Sequence, residues 1–180
     1  MVWAVFAALA GAGSKWVAHW CLWERALEYI TVSEFVGEFA FLSADYPCQL
    51  THKGISYPSV QHGYQHLKTN DPDWQRRIRE APTAQEAWLL GRQAPLTTPD
   101  WPKTRVAIMS NLNLAKFSQN KELSEKLLAT GDWYLYQGYR PLVETDEDVF
   151  WGVDLTTGEG HNVMGEVLVT LRRFLFRKQP

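Results

Sequence analysis

The chain has 180 residues, of which 46% are hydrophobic and 21% charged, with 18 basic and 20 acidic side chains for a net charge of −2. This composition can bury a core, which excludes wholesale disorder, and the length suits one domain better than two. The near-neutral balance argues against a strongly basic nucleic-acid binder and leaves room only for a local basic groove.

Trp3, Trp16, Trp20 and Trp23, four of nine tryptophans, crowd the first 23 residues. Met1 to Gly13 is uncharged and largely apolar but lacks the basic start of a signal peptide. Gly11, Gly13, Ser14, Lys15 and His19 break up what a membrane span would need as a clean apolar run. Trp16, Trp20, Trp23, Leu27 and Ile30 then follow at helical spacing. Such a helix packs on the domain or on a second copy, lies on a membrane surface, or stands upstream of the native start. Residues 1–28 are read as a Trp-rich extension that offers a route to self-association, and 29–180 as the domain. With no leader and no transmembrane segment, the reading is cytoplasmic.

From Tyr29 to Leu42 a partial alternation (Ile30, Val32, Phe35, Val36, Phe39, Phe41) fits strand or extended structure. His52, Lys53 and Gly54 read as a turn, and Ile55 to Tyr57 as extended. Ser59 caps a helix over Val60 to Lys68. Asp71 and Pro72 start another, because Asp caps and Pro suits the first helical position. Thr83 and Glu86 form a capping box ahead of Ala87 to Leu90, with Gly91 as the stop. Asp100 caps a helix through about Phe117. A further helix runs from about Lys121 to Ala129 and ends at Gly131, and the last spans about Val163 to Phe176. Short strands are expected between Trp133 and Trp151. The sum is an α+β fold, a mostly helical single domain around a small β-sheet.

Cys21 and Cys48 make neither a disulfide framework nor a CxxC pair, and the five histidines hold no HExxH. His62 and His66 stand one helical turn apart with no third ligand signalled nearby, so no metal is expected. Three polar-aromatic segments stand out instead: Tyr57 to Lys68, Leu142 to Gly152, and Gly158 to Asn162 with Met164, Gly165 and Leu168 after it.

In these segments the chain resembles the NADAR (YbiA-like) family. The resemblance is carried by Gly54, Tyr57, Pro58, Ser59, His62, Tyr64, Gln65 and Lys68, then Gly91, Arg92, Asp100, Trp101, Met109, Lys116, Phe117 and Glu122. It continues through Leu127 to Gly131, Asp148, Phe150, Trp151, Gly152, Gly158, Gly160, Asn162, Gly165, Arg172 and Leu175, and so covers roughly Phe35 to Phe176. A dozen ordered motifs are far more specific than one short match. The resemblance implies a hydrolase of N-glycosidic bonds acting on an ADP-ribosyl or phosphoribosyl substrate. Either a small nucleotide, such as a riboflavin-pathway intermediate, or ADP-ribosylated guanine in nucleic acid would be its partner, and no metal or redox cofactor is implied.

The residue chemistry suits that reaction. Breaking a ribose–nitrogen bond builds positive charge on the sugar, which a nearby carboxylate stabilises, while an acid protonates the departing base and a base activates water. Asp148 is the carboxylate in the matched motif. Glu144 precedes it by four residues and is the second acidic candidate. Trp151 offers a stacking face beside Gly152, and Asn162 a hydrogen bond to ribose or base. Lys68 binds phosphate or, with a lowered pKa, attacks an opened sugar to form a Schiff base. Arg92 and Lys116 are candidates for phosphate charge, and His62, Gln65 and Trp101 for substrate contacts. Bland roles stand beside these. Asp148 can cap a turn, His62 and His66 can pack, Asn162 can serve its own turn, Trp74, Trp88 and Trp133 can be packing residues, and Arg172 and Arg173 can be solvated.

One departure matters. The family usually carries Glu where this chain has Gln61, and the amide keeps shape and hydrogen bonding but loses charge and proton transfer. A catalytically weakened binder of ADP-ribose or NAD-derived nucleotides is therefore the rival reading. In an alternative register, Leu135 to Tyr139 replaces Leu142 to Glu144, and Gln137 then stands for a second Glu.

Overall fold

The computed structural model describes residues 31–139 and 146–178; the extension 1–28 and Glu144 lie outside the described residues. The described elements run β1 (Thr31–Val32), a 3-10 helix (Gly37–Leu42), β2 (Leu50–His52), β3 (Ile55–Tyr57), α1 (Val60–His66), α2 (Pro72–Arg79) and α3 (Ala84–Gln93). They continue with α4 (Trp101–Gln119), α5 (Lys121–Ala129), β4 (Tyr134–Leu135), β5 (Gly138–Tyr139), α6 (Asp146–Trp151), β6 (Val153–Asp154) and α7 (Val163–Phe176). This is the expected α+β fold, but the described strands form three separate two-stranded ladders rather than one sheet: β1 with β4, β2 with β3, β5 with β6.

Three of the expected helix caps form. The Ser59 hydroxyl accepts the His62 N–H, Asp71 accepts from Asp73 and Trp74, and Thr83 accepts from Glu86. The β2–β3 hairpin turns through Lys53 and Gly54, both at positive φ (51° and 80°), which is the twist a two-residue hairpin loop needs.

Three expectations are corrected. After Val32 the alternating stretch turns into the 3-10 helix, because Phe41 and Leu42, adjacent in sequence, are both buried and a strand would send them to opposite faces. Gly91 does not stop its helix, which runs on to Gln93; a Cβ there would strike the Gln65 side chain, so the glycine serves helix–helix approach. Asp100 makes no side-chain cap. It sits in the left-handed region at φ 51°, and it is its carbonyl that accepts the backbone N–H groups of Lys103 and Thr104 in the first turn of α4.

Helix α4 lies at the centre, packed against α1, β2, α5 and α7. Met109, Leu112, Asn113 and Lys116, at helical spacing, form its buried face. Met109 and Leu112 join Tyr57, Tyr64, Phe117, Leu127, Met164 and Leu168 in the main core, while Ile78, Ala81 and Ala87 form a smaller one under α2 and α3. Arg172 is buried rather than solvated. Its guanidinium donates to the Thr130 hydroxyl (2.7 Å) and to the Trp133 carbonyl (2.9 Å), closing the C-terminal end of α5.

Candidate active site

A cavity of about 440 Å³ opens among α1, α3, α6, the loop after the 3-10 helix and the β5 strand. Three helices each present residues one turn apart: Gln61 and Gln65, with Tyr64 between them, from α1, Gln85 and Trp88 from α3, and Asp148 and Trp151 from α6. Asp45 comes from the loop, Gln137 and Tyr139 from the β5 segment, and Met109 and Met164 add apolar wall from α4 and α7. The volume falls within the roughly 300–1,000 Å³ of small-molecule sites.

The α1 wall is held by side chains. His62 is 2% exposed and lies outside the lining. Its Nε2–H donates to the Ala81 carbonyl at 3.1 Å, which leaves Nδ1 to accept from the Ser59 hydroxyl at 2.7 Å. Burial lowers the His62 pKa below its ordinary value, so the neutral ring suits this linker role. His66 is likewise occupied, donating from Nδ1 to the Gln75 carbonyl at 3.2 Å. Gln65 is buried over Gly91.

The α6 wall is held by backbone. Strands β5 and β6 pair in parallel, the Val153 N–H donates to the Gln137 carbonyl (3.0 Å), and the Gly152 carbonyl accepts the Asn162 N–H (3.0 Å). A side chain at Gly152 would strike the Gln137 carbonyl and the Tyr139 ring. Asn162 binds the same strip from below: its Oδ1 accepts the Gln137 N–H (3.1 Å) and its Nδ2 donates to the Leu135 carbonyl (2.9 Å). Asn162 and Gly152 thus lie outside the lining and place Gln137, which lines it. Gln137 belongs to the alternative register weighed against Glu144, the latter lying outside the described residues.

Aromatic rings join the two walls. Trp151 meets Tyr64 edge-on at 5.7 Å and Phe150 at 4.9 Å, and Tyr64 packs on Trp101 at 5.0 Å. Trp101 is buried in this stack, outside the lining. Lys68 is 8% exposed with its Nζ 5.2 Å from the Tyr64 ring centre and 5.8 Å from that of Trp101, one layer behind the cavity. Arg92 lies over Trp88 at 4.8 Å, so it approaches the site through a ring that does line it. Lys116 is fully buried, and its Nζ donates to the Ser43 carbonyl at 2.7 Å. Burial pulls its pKa down to about 8, against the smaller upward pull of Cys48 and Asp45.

The cavity therefore gathers Gln61, Gln65, Asp148 and Trp151 from the sequence candidates and leaves His62, Lys68, Gly152, Asn162, Arg92, Trp101 and Lys116 around it. Asp45, Gln85 and Trp88 are additions. The three-residue step from Gln85 to Trp88 on a capped helix was a usable signal for that pair, whereas Asp45 sits in no motif. Among the described residues no group of three His, Cys, Asp or Glu side chains is placed to hold a metal, and no helix is long and apolar enough to cross a membrane.

Residues 21–176 match the family model of the NADAR domain. The chain belongs to the NADAR family. The match starts within the Trp-rich extension, upstream of residue 29. Similar relatives include a riboflavin biosynthesis protein of Vibrio vulnificus, 36% identical over 141 residues, or 78% of this chain and 36% of that protein's length. This NADAR chain thus spans little more than a third of that relative. The N-glycosidase YbiA of Escherichia coli is 29% identical over 154 residues, covering 84% of this chain and 89% of that one. An N-glycosidase of Acanthamoeba polyphaga mimivirus is 27% identical over 157 residues, covering 81% and 79%. The solution structure of E. coli YbiA matches the NADAR fold described above with a TM-score of 0.69 at 27% identity, covering 83% of this chain and 87% of that chain.

Proposed function

We propose that this NADAR protein hydrolyses an N-glycosidic bond, with an ADP-ribosyl or phosphoribosyl compound as substrate and no metal or redox cofactor. The observation that carries the reading is the pairing of Asp148 and Trp151 one helical turn apart on one cavity wall. A carboxylate set beside a flat indole suits a bond between a sugar that becomes cationic and a base that stacks. The names of the relatives, N-glycosidase and riboflavin biosynthesis protein, support the same reaction class. Asp148 stabilises the cationic sugar and takes the proton that water loses. Trp151 and Trp88 offer rings to the base, and the amides of Gln61, Gln65, Gln85 and Gln137 can each donate and accept along its edge. Lys68, Lys116 and Arg92 stand outside the lining; Arg92, exposed beside Trp88, is the one suited to a phosphate at the cavity mouth.

Incubation of the purified protein with ADP-ribosylated guanine in single-stranded DNA and with the phosphoribosylated aminopyrimidine of riboflavin synthesis tests the proposal. Release of base from one of them is expected, and turnover of neither overturns the reading. Gln61 on the cavity wall favours one alternative, a protein that retains the nucleotide without cleaving it. Stabilisation by ADP-ribose in a thermal melt without product, together with cleavage gained in Gln61→Glu, would select that alternative.

A further inference from the structure

With an amide at Gln61, the proposed reaction needs its acid elsewhere. Among the described lining residues the carboxyl groups are those of Asp45 and Asp148. Neither His62 nor His66 lines the cavity, and the ring of His62 already bonds through both nitrogens. The tyrosine hydroxyls on the wall are ordinarily about six pKa units weaker as acids than a carboxyl.

Asp45 is not a chance surface residue of a loose loop. Its segment follows the 3-10 helix and is gripped on both sides. The Lys116 Nζ donates to the Ser43 carbonyl (2.7 Å), and the Gln61 N–H donates to the Ala44 carbonyl (2.9 Å). The Cys48 N–H donates to the Pro58 carbonyl (2.9 Å), and the Asn120 amide to the Gln49 carbonyl (3.0 Å). Gln119 closes the run by accepting the Thr51 N–H (2.7 Å) and donating to the Thr51 carbonyl (2.8 Å). The end of α4 and the start of α1 thus hold a carboxyl group at the cavity beside Gln61, to which its own chain is bonded. Such fixed placement is what a proton donor requires.

We propose that Asp45 is the general acid of this site and delivers the proton taken up by the departing base. The proposal rests on the N-glycosidase reading. In the step, the bond from the sugar carbon to the base nitrogen breaks and its electron pair goes to nitrogen. That nitrogen takes the proton of the Asp45 carboxyl. The oxygen of one water bonds to the sugar carbon, and its proton passes to the Asp148 carboxylate. Exchange with bulk water returns both side chains to their starting forms. Asp45 keeps solvent access for this exchange, yet the protein packed around its carboxyl raises its pKa, with His62 and Lys116 pulling the other way. The groups that face it are His62 on α1, Lys116 on α4 with Cys48 beside that lysine, and Asp148 on the same cavity.

Steady-state kinetics on whichever of the two substrates the wild type turns over faster test the assignment, with Asp45→Asn, Asp45→Glu and Asp148→Asn compared across pH. Asp45→Asn should lower kcat by roughly 100- to 10,000-fold with KM within about threefold, and should lose the fall in rate that the wild type shows as pH rises and the acid deprotonates. Asp45→Glu should keep that alkaline fall at a reduced kcat. A kcat for Asp45→Asn within about threefold of wild type, or an unchanged alkaline limb, overturns the assignment. If Asp148→Asn is dead while Asp45→Asn works, only the role of Asp45 falls and the N-glycosidase reading stands. If the wild type turns over neither substrate, both fall together. Should Asp45→Asn unfold below the assay temperature, the pH profile of Asp45→Glu decides alone, and loss of its alkaline limb counts against the assignment.

Discussion

Helices α1 and α6 face the same cavity but are built by opposite means. On α1, side chains do the holding: Ser59 caps, His62 bridges to Ala81, His66 reaches Gln75, and the groups shown to the cavity are neutral, the amides of Gln61 and Gln65 and the ring of Tyr64. On α6, a six-residue helix, backbone does much of the holding through Gly152 and the β5–β6 ladder, with the Asn162 side chain bracing the strip beside it. What it shows to the cavity is a charge and an indole. A wall made of exchangeable side-chain bonds tolerates substitution at the cavity, whereas a wall made of close backbone approach is sensitive wherever a Cβ is added.

The largest effect should come from the charged wall. Asp148→Asn keeps volume and removes the carboxylate, and kcat should fall roughly 1,000- to 10,000-fold, about 4–5 kcal/mol of barrier. Retention of more than about a tenth of the wild-type kcat would remove Asp148 from the chemistry. The next largest is structural. Gly152→Ala forces the Gln137 carbonyl and Tyr139 ring aside and should cost about 2–4 kcal/mol in urea unfolding. An unchanged unfolding midpoint would show that the α6 wall yields as readily as the α1 wall.

Lys116, which anchors the Asp45 loop, carries a pH signature. Its native pKa is about 8 against an ordinary 10.5. Below pH 8 folded and unfolded chains both hold the proton, and the fold bears the full cost of burying the charge. Between 8 and 10.5 only the unfolded chain keeps it, so this group's contribution to stability rises with pH, by roughly 1 kcal/mol per pH unit. The difference in unfolding free energy between wild type and Lys116→Met should therefore move in favour of the wild type from pH 8 to 10. Tyr57, its pKa raised to about 12 by burial, works the other way above its ordinary 10, which sets the upper end of the comparison. A flat difference would mean that the ammonium is better solvated than its burial indicates.

The smallest effect belongs to the α1 wall. Ser59→Ala loses the cap and the hydroxyl that donates to His62, and should cost about 1–2 kcal/mol without reducing kcat by more than severalfold. A loss of activity as large as that of Asp148→Asn would mean that the neutral wall is as exacting as the charged one.

Much of this was legible in the sequence because it is local. Ser59, Asp71 and Thr83 announce their helices through bonds that span three residues, and the last helix shows its buried face at Val167, Leu168 and Leu171 by spacing alone. Asp148 and Trp151, or Gln61 and Gln65, share a face for the same reason: a helical turn is a property of the chain itself. The ordered motifs likewise carried the family and, with it, the fold.

Tertiary structure alone decided the rest. Gly91 reads as a stop in isolation and becomes a contact only when Gln65 lies across it. Lys116 reads as a phosphate ligand, yet its solvent is replaced by core and its proton is spent on the Ser43 carbonyl. Asn162 reads as a ligand group and instead sets the strip that carries Gln137. Asp45 reads as nothing at all, since a lone aspartate in a loop has no periodicity and no partner in sequence. Its place at the cavity depends on contacts with Lys116 and Gln61, the former 71 positions away in the chain. Local hydrogen bonding and helical period are written residue by residue; which side chains share a cavity, and which are sealed from water, depends on distant segments meeting.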